Sequence, residues 1–372
     1  MLYKNLVKKV SISPEMKTKQ KNYLDKGALP IIDQGQKVIG GYTNNLNLQL
    51  SCSLPVIVFG DHTRAVKYID FPFGAGADGI KVLQPKEGIV PKYLYYATQY
   101  LVLRLEDRGY ARHYQYIEKK DLNVPDIDEQ KRVVARIEEL FSELDNGVET
   151  LKKTKQQLTV YRQAVYSSVY EEDNMCPITD FFEVSGGLTK NSKRNDLSLK
   201  MPYLRVANVY YNKLDLSEIK YIGVNESEVQ KATLKKDDLL FVEGNGSKEQ
   251  IGRVAIWDGS INNCLHQNHL IKGRPLGNML PQYALFYLIS AYGRKQILKV
   301  ASSTSGLYTL STNKVRNLQI PFVDIDKQAQ CISIIEERLS VCDSIEKTID
   351  TALQQAEAMR QSILKESFEG EL

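Results

Sequence analysis

The sequence predicts an α+β protein in which two mixed α/β globular heads alternate with two long amphipathic helices. Three observations predict it: an internal repeat at constant offset, a heptad pattern in both copies, and short β-rich runs before each copy. The 372 residues, 42% of them hydrophobic, suffice for two or three domains with separate cores. The predicted segments are a first head at 1–121, a first helical segment at 122–175, a second head at 176–317 and a second helical segment at 318–372.

The internal repeat joins a segment that begins at Leu122 to a segment that begins at Leu318. From Asp126 and Asp324 onward the copies align without a gap, with about 15 identities in about 47 positions. The identical pairs include Gln130 with Gln328, Asp145 with Asp343, and Arg162-Gln163 with Arg360-Gln361. Two unrelated helices would rarely keep one register over this length, so the segments are copies of one unit.

Apolar residues recur every seven positions in both copies. They are Ile137, Leu144, Leu151, Leu158 and Val165 in the first copy, and Ile335, Cys342, Ile349, Ala356 and Ile363 in the second. The other faces are rich in Glu, Lys, Gln and Arg. This pattern predicts that the two helices pair as an antiparallel coiled coil with pseudo-two-fold symmetry. The alternative is that each apolar stripe packs only on its own head.

Proline fixes the start of each long helix. Pro125 and Pro321 disfavour helix immediately before them, and the acidic DID stretch that follows each proline suits a helix N-terminus. A helix of about 40 to 45 residues would span roughly 60 to 70 Å, which is about two turns of B-DNA. This length favours a spacer between the heads.

The two heads share one order of predicted elements. Short β-rich runs are LPVIVFG and KYIDF in the first head, and YLRVANVY, DLLFVEG and RVAIWD in the second. One predicted helix follows in each, PKYLYYATQYLVLRLED or PQYALFYLISAYGRKQIL, and then a polar loop and the pattern L-x-[VI]-P. The sequences of the two heads have diverged, whereas the two helical segments remain similar. This difference indicates that the heads bind two different targets and that the helices form a shared scaffold.

Several strings together carry a resemblance to a known family. They are LPIIDQGQKVIGGYT, VIVFG and ADGIKVLQPKEGIVPKYLYY in the first head, YLRVANV, LKKDDLLFVEGNGS, GRVAIW and SSTSGLYTLSTNKVRNLQIP in the second, and DIDEQKRV or DIDKQAQC at the helix starts. Over nearly its whole length the chain resembles the specificity subunit of a type I restriction-modification system. The resemblance implies two target-recognition domains that each read one half of a bipartite DNA sequence, with the helices setting the gap.

The same resemblance implies partners. Two methyltransferase subunits would dock on the chain, and restriction subunits would add ATP-driven translocation and cleavage. S-adenosylmethionine, ATP and Mg would then be held by those partners, with no cofactor in this chain.

Motifs for catalysis are missing from the sequence. No N/D-P-P-Y/F tetrapeptide occurs, residues 73–79 (FGAGADG) lack the strand–loop–helix context of a cofactor loop, and residues 244–248 misplace the lysine of a P-loop. Asp126 and Glu129 lie in one helical turn, and Lys327 replaces Glu129 in the second copy, so helix capping is expected there instead of a metal-dependent nuclease site. His266 and His269 have no carboxylate or cysteine at ligand spacing. We therefore predict a non-catalytic chain without a metal site.

Polar loops of the heads are the candidate DNA contacts, because arginine can bind guanine edges and Ser or Thr can contact phosphates or bases. The segments GYARHYQY and SSTSGLY occupy equivalent places in the repeat. The first candidates are Arg108, Arg112, His113, Tyr114, Ser302, Ser303, Thr304 and Ser305. The second candidates are Gln34, Gln36, Arg64, Lys190, Lys193, Arg194, Asn208, Asn245 and Lys248. For each, the alternative is an ordinary solvated loop residue.

Net charge and hydropathy limit the kinds of partner that can be expected. A formal net charge of +4 is compatible with a polyanionic partner such as double-stranded DNA without identifying one. No apolar run reaches the length of a signal peptide or a membrane span, so we expect a cytoplasmic protein without a membrane partner.

The principal alternative function is a helical scaffold with protein-binding heads, which would lack salt-dependent affinity for duplex DNA. A standalone enzyme is disfavoured by the missing motifs.

Overall fold

Two units of the chain each contain one head together with part of both long helices. They are Met1–Lys152 with Asp350–Leu372, and Lys153–Ile349. The computed structural model describes residues 1–77, 79–106, 109, 111–171, 173–304 and 307–370. The units do not follow the four predicted segments one by one, because each helical segment is divided between them. The segment bounds therefore stay a prediction.

The first unit contains eight described strands and two short helices. They are β1 (Val7–Val10), β2 (Lys17–Thr18), β3 (Leu29–Ile32), β4 (Gly41–Thr43), β5 (Val56–Gly60), β6 (Val66–Ile69), β7 (Gly74–Gly76), β8 (Ile80–Pro85), α1 (Pro91–Leu103) and α2 (Tyr114–Ile117). It also contains residues 127–152 of the long helix α3 (Ile127–Ser167) and residues 350–369 of the last helix.

The second unit contains the remaining described elements. They are β9 (Met175–Pro177), β10 (Phe182–Gly186), β11 (Lys200–Leu204), β12 (Val209–Tyr210), β13 (Lys213–Leu214), β14 (Lys220–Gly223), α4 (Glu226–Ala232), β15 (Leu239–Val242), β16 (Gly244–Asn245), β17 (Val254–Ile256), β18 (Leu265–His266), β19 (Leu270–Pro275), α5 (Pro281–Ile289), α6 (Ala291–Val300), β20 (Ser302–Thr304), β21 (Leu307–Thr309), α7 (Thr312–Arg316), β22 (Gln319–Pro321) and residues 325–349 of α8 (Ile325–Glu369).

Each head is built on a four-stranded antiparallel sheet. The strand order is β1-β8-β5-β6 in the first unit and β10-β19-β15-β17 in the second, so the sheets correspond strand for strand. The central strands β5 and β15 are buried along their whole length, as expected from their continuous apolar runs. The predicted duplication of an α+β head is confirmed. β1 occupies the place of β10, although its sequence VKKV has little in common with FEVSG.

The long helix predicted after the second sheet is two helices. Ser290 separates α5 from α6 in an extended conformation, and its hydroxyl accepts from the Gly293 backbone N–H at 3.4 Å. Serine is a favoured N-cap because its side chain satisfies a free N–H of the first helical turn. The single predicted helix is therefore wrong at this position.

The starts of the long helices are as predicted. α3 begins at Ile127 after Pro125, and the Asp126 carboxylate accepts from the backbone N–H groups of Asp128 and Glu129 at 3.1 and 2.9 Å. In α8 the Asp324 carboxylate accepts from the Lys327 N–H at 2.8 Å. The expected helix capping is confirmed.

The two long helices pack antiparallel. In the first unit the Arg360 guanidinium of α8 pairs with Asp145 of α3, and in the second unit Arg162 of α3 lies 2.6 Å from Asp343 of α8. These are the repeat-related arginines and aspartates: α8 supplies the arginine in the first unit, and α3 supplies it in the second. Exposed ion pairs contribute little stability, but they specify register.

The predicted heptad positions face inward. All ten are buried or half-buried: Ile137, Leu144, Leu151, Leu158, Val165, Ile335, Cys342, Ile349, Ala356 and Ile363. In the first unit Ile137 packs in one apolar cluster with Tyr93 of α1 and with Leu364 of α8. In the second unit Val165 and Ile335 share a cluster with α5. The stripe therefore contacts both a head and the other helix.

A buried glutamine joins each head to the helix that follows it. Gln130 accepts from the Val90 N–H at 2.8 Å and donates to the Pro125 carbonyl at 3.0 Å. Its repeat partner Gln328 accepts from the Leu280 N–H and donates to the Val323 carbonyl, both at 2.8 Å. Val90 and Leu280 are the N-caps of α1 and α5, so both joints hold the same part of the head.

An aromatic side chain joins each head to the end of a long helix. In the first unit the Phe368 ring of α8 stacks on Tyr100 of α1, with ring centroids 5.3 Å apart. In the second unit Tyr170, which follows α3, packs against Tyr283 and Tyr287 of α5 at 5.0 and 5.2 Å. Tyr170 and Phe368 are related by the repeat. Each head therefore contacts the start of one helical segment and the end of the other.

Candidate nucleic-acid interface

One end of each four-stranded sheet collects most of the predicted DNA-contact loops. In the second unit this end carries residues 187–190, 243–253, 266–269, 302–304 and 307–310, which we call loop cluster 2. The corresponding end of the first sheet carries residues 33–36, 61–65 and 111–113, which we call loop cluster 1.

Asp61 is the anchor of loop cluster 1. Only 3% of this residue is exposed, and its carboxylate accepts from the Tyr114 N–H at 2.9 Å and lies 3.4 Å from Lys81 Nζ. Its carbonyl accepts from the His113 N–H at 2.8 Å. These bonds hold residues 111–114 against the end of β5 and thereby fix the position of Arg112.

Side chains of the loop after β5 connect the rest of cluster 1. The Thr63 hydroxyl donates to the Gln34 carbonyl, and His62 Nδ1 lies 3.1 Å from the Ala111 carbonyl. The structure therefore brings the loops of three predicted residues together: Gln34, Arg64 and Arg112.

A buried ion pair that the sequence analysis missed supports the Gln34 loop. Lys67 of β6 is 4% exposed, donates to the Asp33 carbonyl at 2.7 Å and lies 3.5 Å from the Asp33 carboxylate. Burial lowers the pKa of Lys67, and the nearby Asp33 charge opposes that shift. Lys67 shares a strand face with buried Ile69. This alternation was the available signal, because a lysine on an inward face needs a partner.

Loop cluster 2 is anchored at the same place. The Leu310 N–H donates to the Glu243 carbonyl at 2.6 Å, as the His113 N–H donates to the Asp61 carbonyl in cluster 1. Glu243 and Asp61 both follow the central strand of their sheet. Leu310 follows the SSTSGLY segment and His113 lies in the GYARHYQY segment, so the chain reaches the same place at the end of each sheet.

A small antiparallel sheet unites two predicted segments of the second head. β16, β21 and β20 pair in that order, with Asn245 and Ser303 both opposite Tyr308. Asn245 therefore lies in one sheet with the predicted residues Ser302, Ser303 and Thr304. Arg108 and Ser305 lie outside the described residues.

The remaining candidates differ in exposure. The exposed ones are Gln36, Arg112, Lys190, Lys193 and Lys248, and the half-buried ones are Gln34, Arg64 and Arg194. Arg194 binds Glu228 through two hydrogen bonds of 3.0 and 2.7 Å and donates to the Thr189 carbonyl at 2.6 Å. Its described contacts are therefore those of a side chain that orders its own loop.

Three predicted contact residues are corrected to packing roles. His113, Tyr114 and Asn208 are 1%, 3% and 2% exposed. Burial raises the pKa of Tyr114, whose ring packs 6.0 Å from Phe59, and the Asn208 amide donates to the Asp215 carbonyl at 2.8 Å. Side chains enclosed in this way have no surface to offer a DNA groove.

The residues weighed for catalysis have structural partners. Residues 74–76 form β7 inside a sheet, and residues 244–245 form β16. His266 is buried, which lowers its pKa to about 4, and its Nδ1 lies 2.9 Å from the Ala232 carbonyl; His269 lies 2.8 Å from Glu243. Within the described ranges, no three His, Cys, Asp or Glu residues are grouped to hold a metal ion, and no helix is both long and apolar enough to cross a membrane.

Comparison with known proteins identifies a DNA specificity domain in the second half of the chain and similar proteins. A family model described as the type I restriction modification DNA specificity domain matches residues 171–355. The type I restriction enzyme EcoKI specificity subunit of Escherichia coli K12 is 27% identical over 271 residues, which are 68% of this chain and 58% of that protein. The chain thus spans less than two thirds of that relative.

Two solved structures share the fold along the whole chain. A structure described as the basis of complex assembly and conformational transition of the type I R-M system has a TM-score of 0.68 at 12% identity, covering 100% of this chain and 97% of the other. The crystal structure of the HsdS subunit from Thermoanaerobacter tengcongensis has a TM-score of 0.55 at 13% identity, with 100% and 96% covered. Residues 171–355 therefore carry a type I restriction modification DNA specificity domain, and the chain is similar to type I restriction enzyme specificity subunits.

Proposed function

We propose that the chain is a non-catalytic DNA reader in which each head recognises one half of a bipartite target and the paired helices set the gap. The observation that carries this proposal is the conservation of the head architecture beside divergence of its loop clusters. The two four-stranded sheets have corresponding strand orders. Each head is joined to a long helix by one of two repeat-related glutamines, Gln130 and Gln328. Two different sequences read at a fixed separation need this combination of a constant frame and variable loops.

The exposed side chains of the loop clusters support recognition of DNA. Cluster 1 presents Arg112 and Gln36, and cluster 2 presents Lys190 and Lys248. Arginine and glutamine are suited to base edges, whereas lysine is suited mainly to phosphates. The two heads would therefore differ in the bases that they select.

Exposed apolar side chains on the helices support docking of partner subunits. In the second unit Val160 and Val341 are 70% and 56% exposed, and in the first unit Met359 is 55% exposed. A partner that docks on these helices would remove this apolar surface from water, which favours association. Two methyltransferase subunits would cover this surface, and restriction and translocase subunits would join them. S-adenosylmethionine, ATP and Mg would bind in those partners.

The test is co-expression with the modification subunit of the same system, followed by genome-wide mapping of methylated adenines. We expect a bipartite motif with a fixed gap that disappears when this chain is omitted. Methylation that does not change on omission would reject the proposal and favour a scaffold with protein-binding heads. Binding to duplex DNA that does not weaken with added salt would count against it as well.

The spacer role has a separate test. Removal of one turn from both paired helices should change the preferred gap and leave both half-sequences as they are. A changed half-sequence with an unchanged gap would contradict the assignment of spacing to the helices.

A further inference from the structure

A turn at residues 247–252 displays Lys248 in loop cluster 2. The Ser247 carbonyl accepts from the N–H groups of Gln250 and Ile251 at 3.1 and 3.2 Å, and Lys248 is exposed. The turn directly follows β16, the strand that contains Asn245. The position of the turn therefore determines how Lys248 is presented and where β16 lies.

One arginine holds this turn by its carbonyl groups. Arg294 of α6 donates from Nη1 to the Ile251 carbonyl at 2.6 Å, and its Nη2 lies 3.4 and 3.5 Å from the carbonyls of Lys248 and Glu249. The carbonyls at the end of a helical turn lack partners within the turn and carry partial negative charge. A fixed guanidinium fork satisfies several of them at once, which a single ammonium group does less well.

Tyr211 completes the support beneath the turn. Its ring lies 5.1 Å from the Arg294 guanidinium, and its hydroxyl donates to the Glu249 carbonyl at 2.5 Å. A cavity of about 440 Å³ that is lined by the turn also borders Tyr166 and Leu298. Ile251 of the same turn is buried in the apolar cluster of the second unit, so the turn is held by apolar packing together with the polar bonds to Arg294 and Tyr211.

We propose that Arg294 is a positioning residue for DNA recognition by the second head. It contacts the turn and not the DNA, and it fixes Lys248, a candidate phosphate contact, together with the adjoining β16, so that the second head lies in register on its half-site. This inference rests on the proposed function and deepens it by naming the group that sets the geometry of one loop cluster.

The first head supplies a matched control. Arg104 stands 13 residues after Pro91, as Arg294 stands 13 residues after Pro281. Arg104 is exposed and donates to the Tyr100 hydroxyl at 2.7 Å on its own helical segment. Arg104→Met therefore removes an arginine at the corresponding position without removing the carbonyl contacts described for Arg294.

Hydrogen exchange of the isolated full-length chain tests the contact directly. In Arg294→Met we expect the amides of residues 248–252 to exchange roughly tenfold faster, while the amides of β15 and β19 stay protected. Arg294→Lys should restore part of the protection, and Arg104→Met should leave this turn as in the wild type. Unchanged exchange in the turn of Arg294→Met overturns the proposal, as does a loss of protection throughout the second unit.

Methylation by the assembled complex tests the consequence for recognition. Initial rates are measured on duplexes that carry the full target or a single mismatch in either half-site. Arg294→Met should lower mismatch discrimination roughly fivefold to tenfold in one half-site and leave the other half-site unchanged. Arg294→Lys should recover part of it, and Arg104→Met should retain wild-type discrimination at the affected half-site.

The possible outcomes distinguish failure of the Arg294 proposal from failure of the proposed DNA-reading function. If the wild-type complex shows no bipartite target, the proposed function fails and the inference fails with it. If the wild type is bipartite and Arg294→Met discriminates as well as the wild type, or loses discrimination equally in both half-sites, the positioning role alone is rejected.

Discussion

The two heads hold equivalent loop clusters by different means. In the first head the buried Asp61 carboxylate binds the segment that contains Arg112, and the buried Lys67–Asp33 pair supports the neighbouring loop. In the second head the Glu243 side chain points to exposed His269, and a small sheet and Arg294 organise the longer loop. Among the described residues, the two clusters share the backbone bond from the segment that precedes the last short helix of the head, α2 or α7.

This difference shows where the duplication was free to vary. The contacts that repeat lie where a head meets a long helix: the buried amides of Gln130 and Gln328, and the rings of Phe368 and Tyr170. The contacts that do not repeat lie in the loop clusters, at the end of each sheet. Because the contacts between each head and the long helices stay constant, the loop sequences can change without altering how the head is attached to the helices.

The largest expected effect distinguishes the two anchors. Asp61→Ala leaves the Tyr114 N–H without its partner in a buried position and removes the Lys81 pair, so the free energy of unfolding should fall by about 3 to 4 kcal/mol. Glu243→Ala removes only an exposed side-chain contact and should cost about 0.5 kcal/mol or less. Urea unfolding followed by circular dichroism measures both. Equal losses would mean that the two anchors work alike.

A buried histidine gives the second unit a pH dependence. His266 has a folded-state pKa of about 4 because burial disfavours its charged form, against about 6.5 when unfolded. Between these values the unfolded chain binds a proton that the folded chain does not, so stability is full above pH 6.5 and falls by about 3 kcal/mol toward pH 4. Trp257, the one tryptophan of the sequence, is buried in this unit and reports its unfolding by fluorescence.

The control for this pH dependence is His266→Gln. Glutamine keeps an N–H donor for the Ala232 carbonyl but does not titrate, so its stability should change less between pH 6.5 and pH 4. The difference between the two pH profiles isolates the histidine from the carboxylates that titrate in the same range. Parallel profiles would show that His266 is not the group responsible.

The glutamine joints should respond alike, because the repeat conserves them. Gln130→Leu and Gln328→Leu each leave a helix N-cap amide without its acceptor, at a cost of about 2 kcal/mol. The prediction is a similar loss for both variants in urea unfolding. A loss several times larger in one of them would show that the two joints are no longer equivalent, despite their matching bond lengths of 2.8 Å.

Periodicity and repetition predicted the frame because both are local properties of the sequence. The heptads, the prolines before the helices and the apolar runs of β5 and β15 all lie where these patterns placed them. The loop clusters depend on contacts between distant residues, such as Asp61 with Tyr114 and Arg294 with Ile251, for which no local pattern exists. For this reason His113 and Tyr114 looked like exposed loop residues although the strand end encloses them.

The smallest expected effect addresses the reading of each half-site. Arg112 and Lys248 are both exposed cations, one in each loop cluster, so neither substitution to alanine should alter stability beyond about 0.5 kcal/mol. Arg112→Ala should weaken recognition of one half-site by about 1 kcal/mol, or roughly fivefold, and change its base preference if the guanidinium contacts a base edge. Lys248→Ala should weaken binding to the full target and to targets with a mismatched half-site by similar factors, and reduce the salt slope by about 1, because an ammonium group contacts mainly phosphate. Binding to such duplexes at several salt concentrations measures both effects. If Arg112→Ala altered both half-sites equally, the first loop cluster would not be confined to one half of the target, and the division of labour between the heads would have to be abandoned.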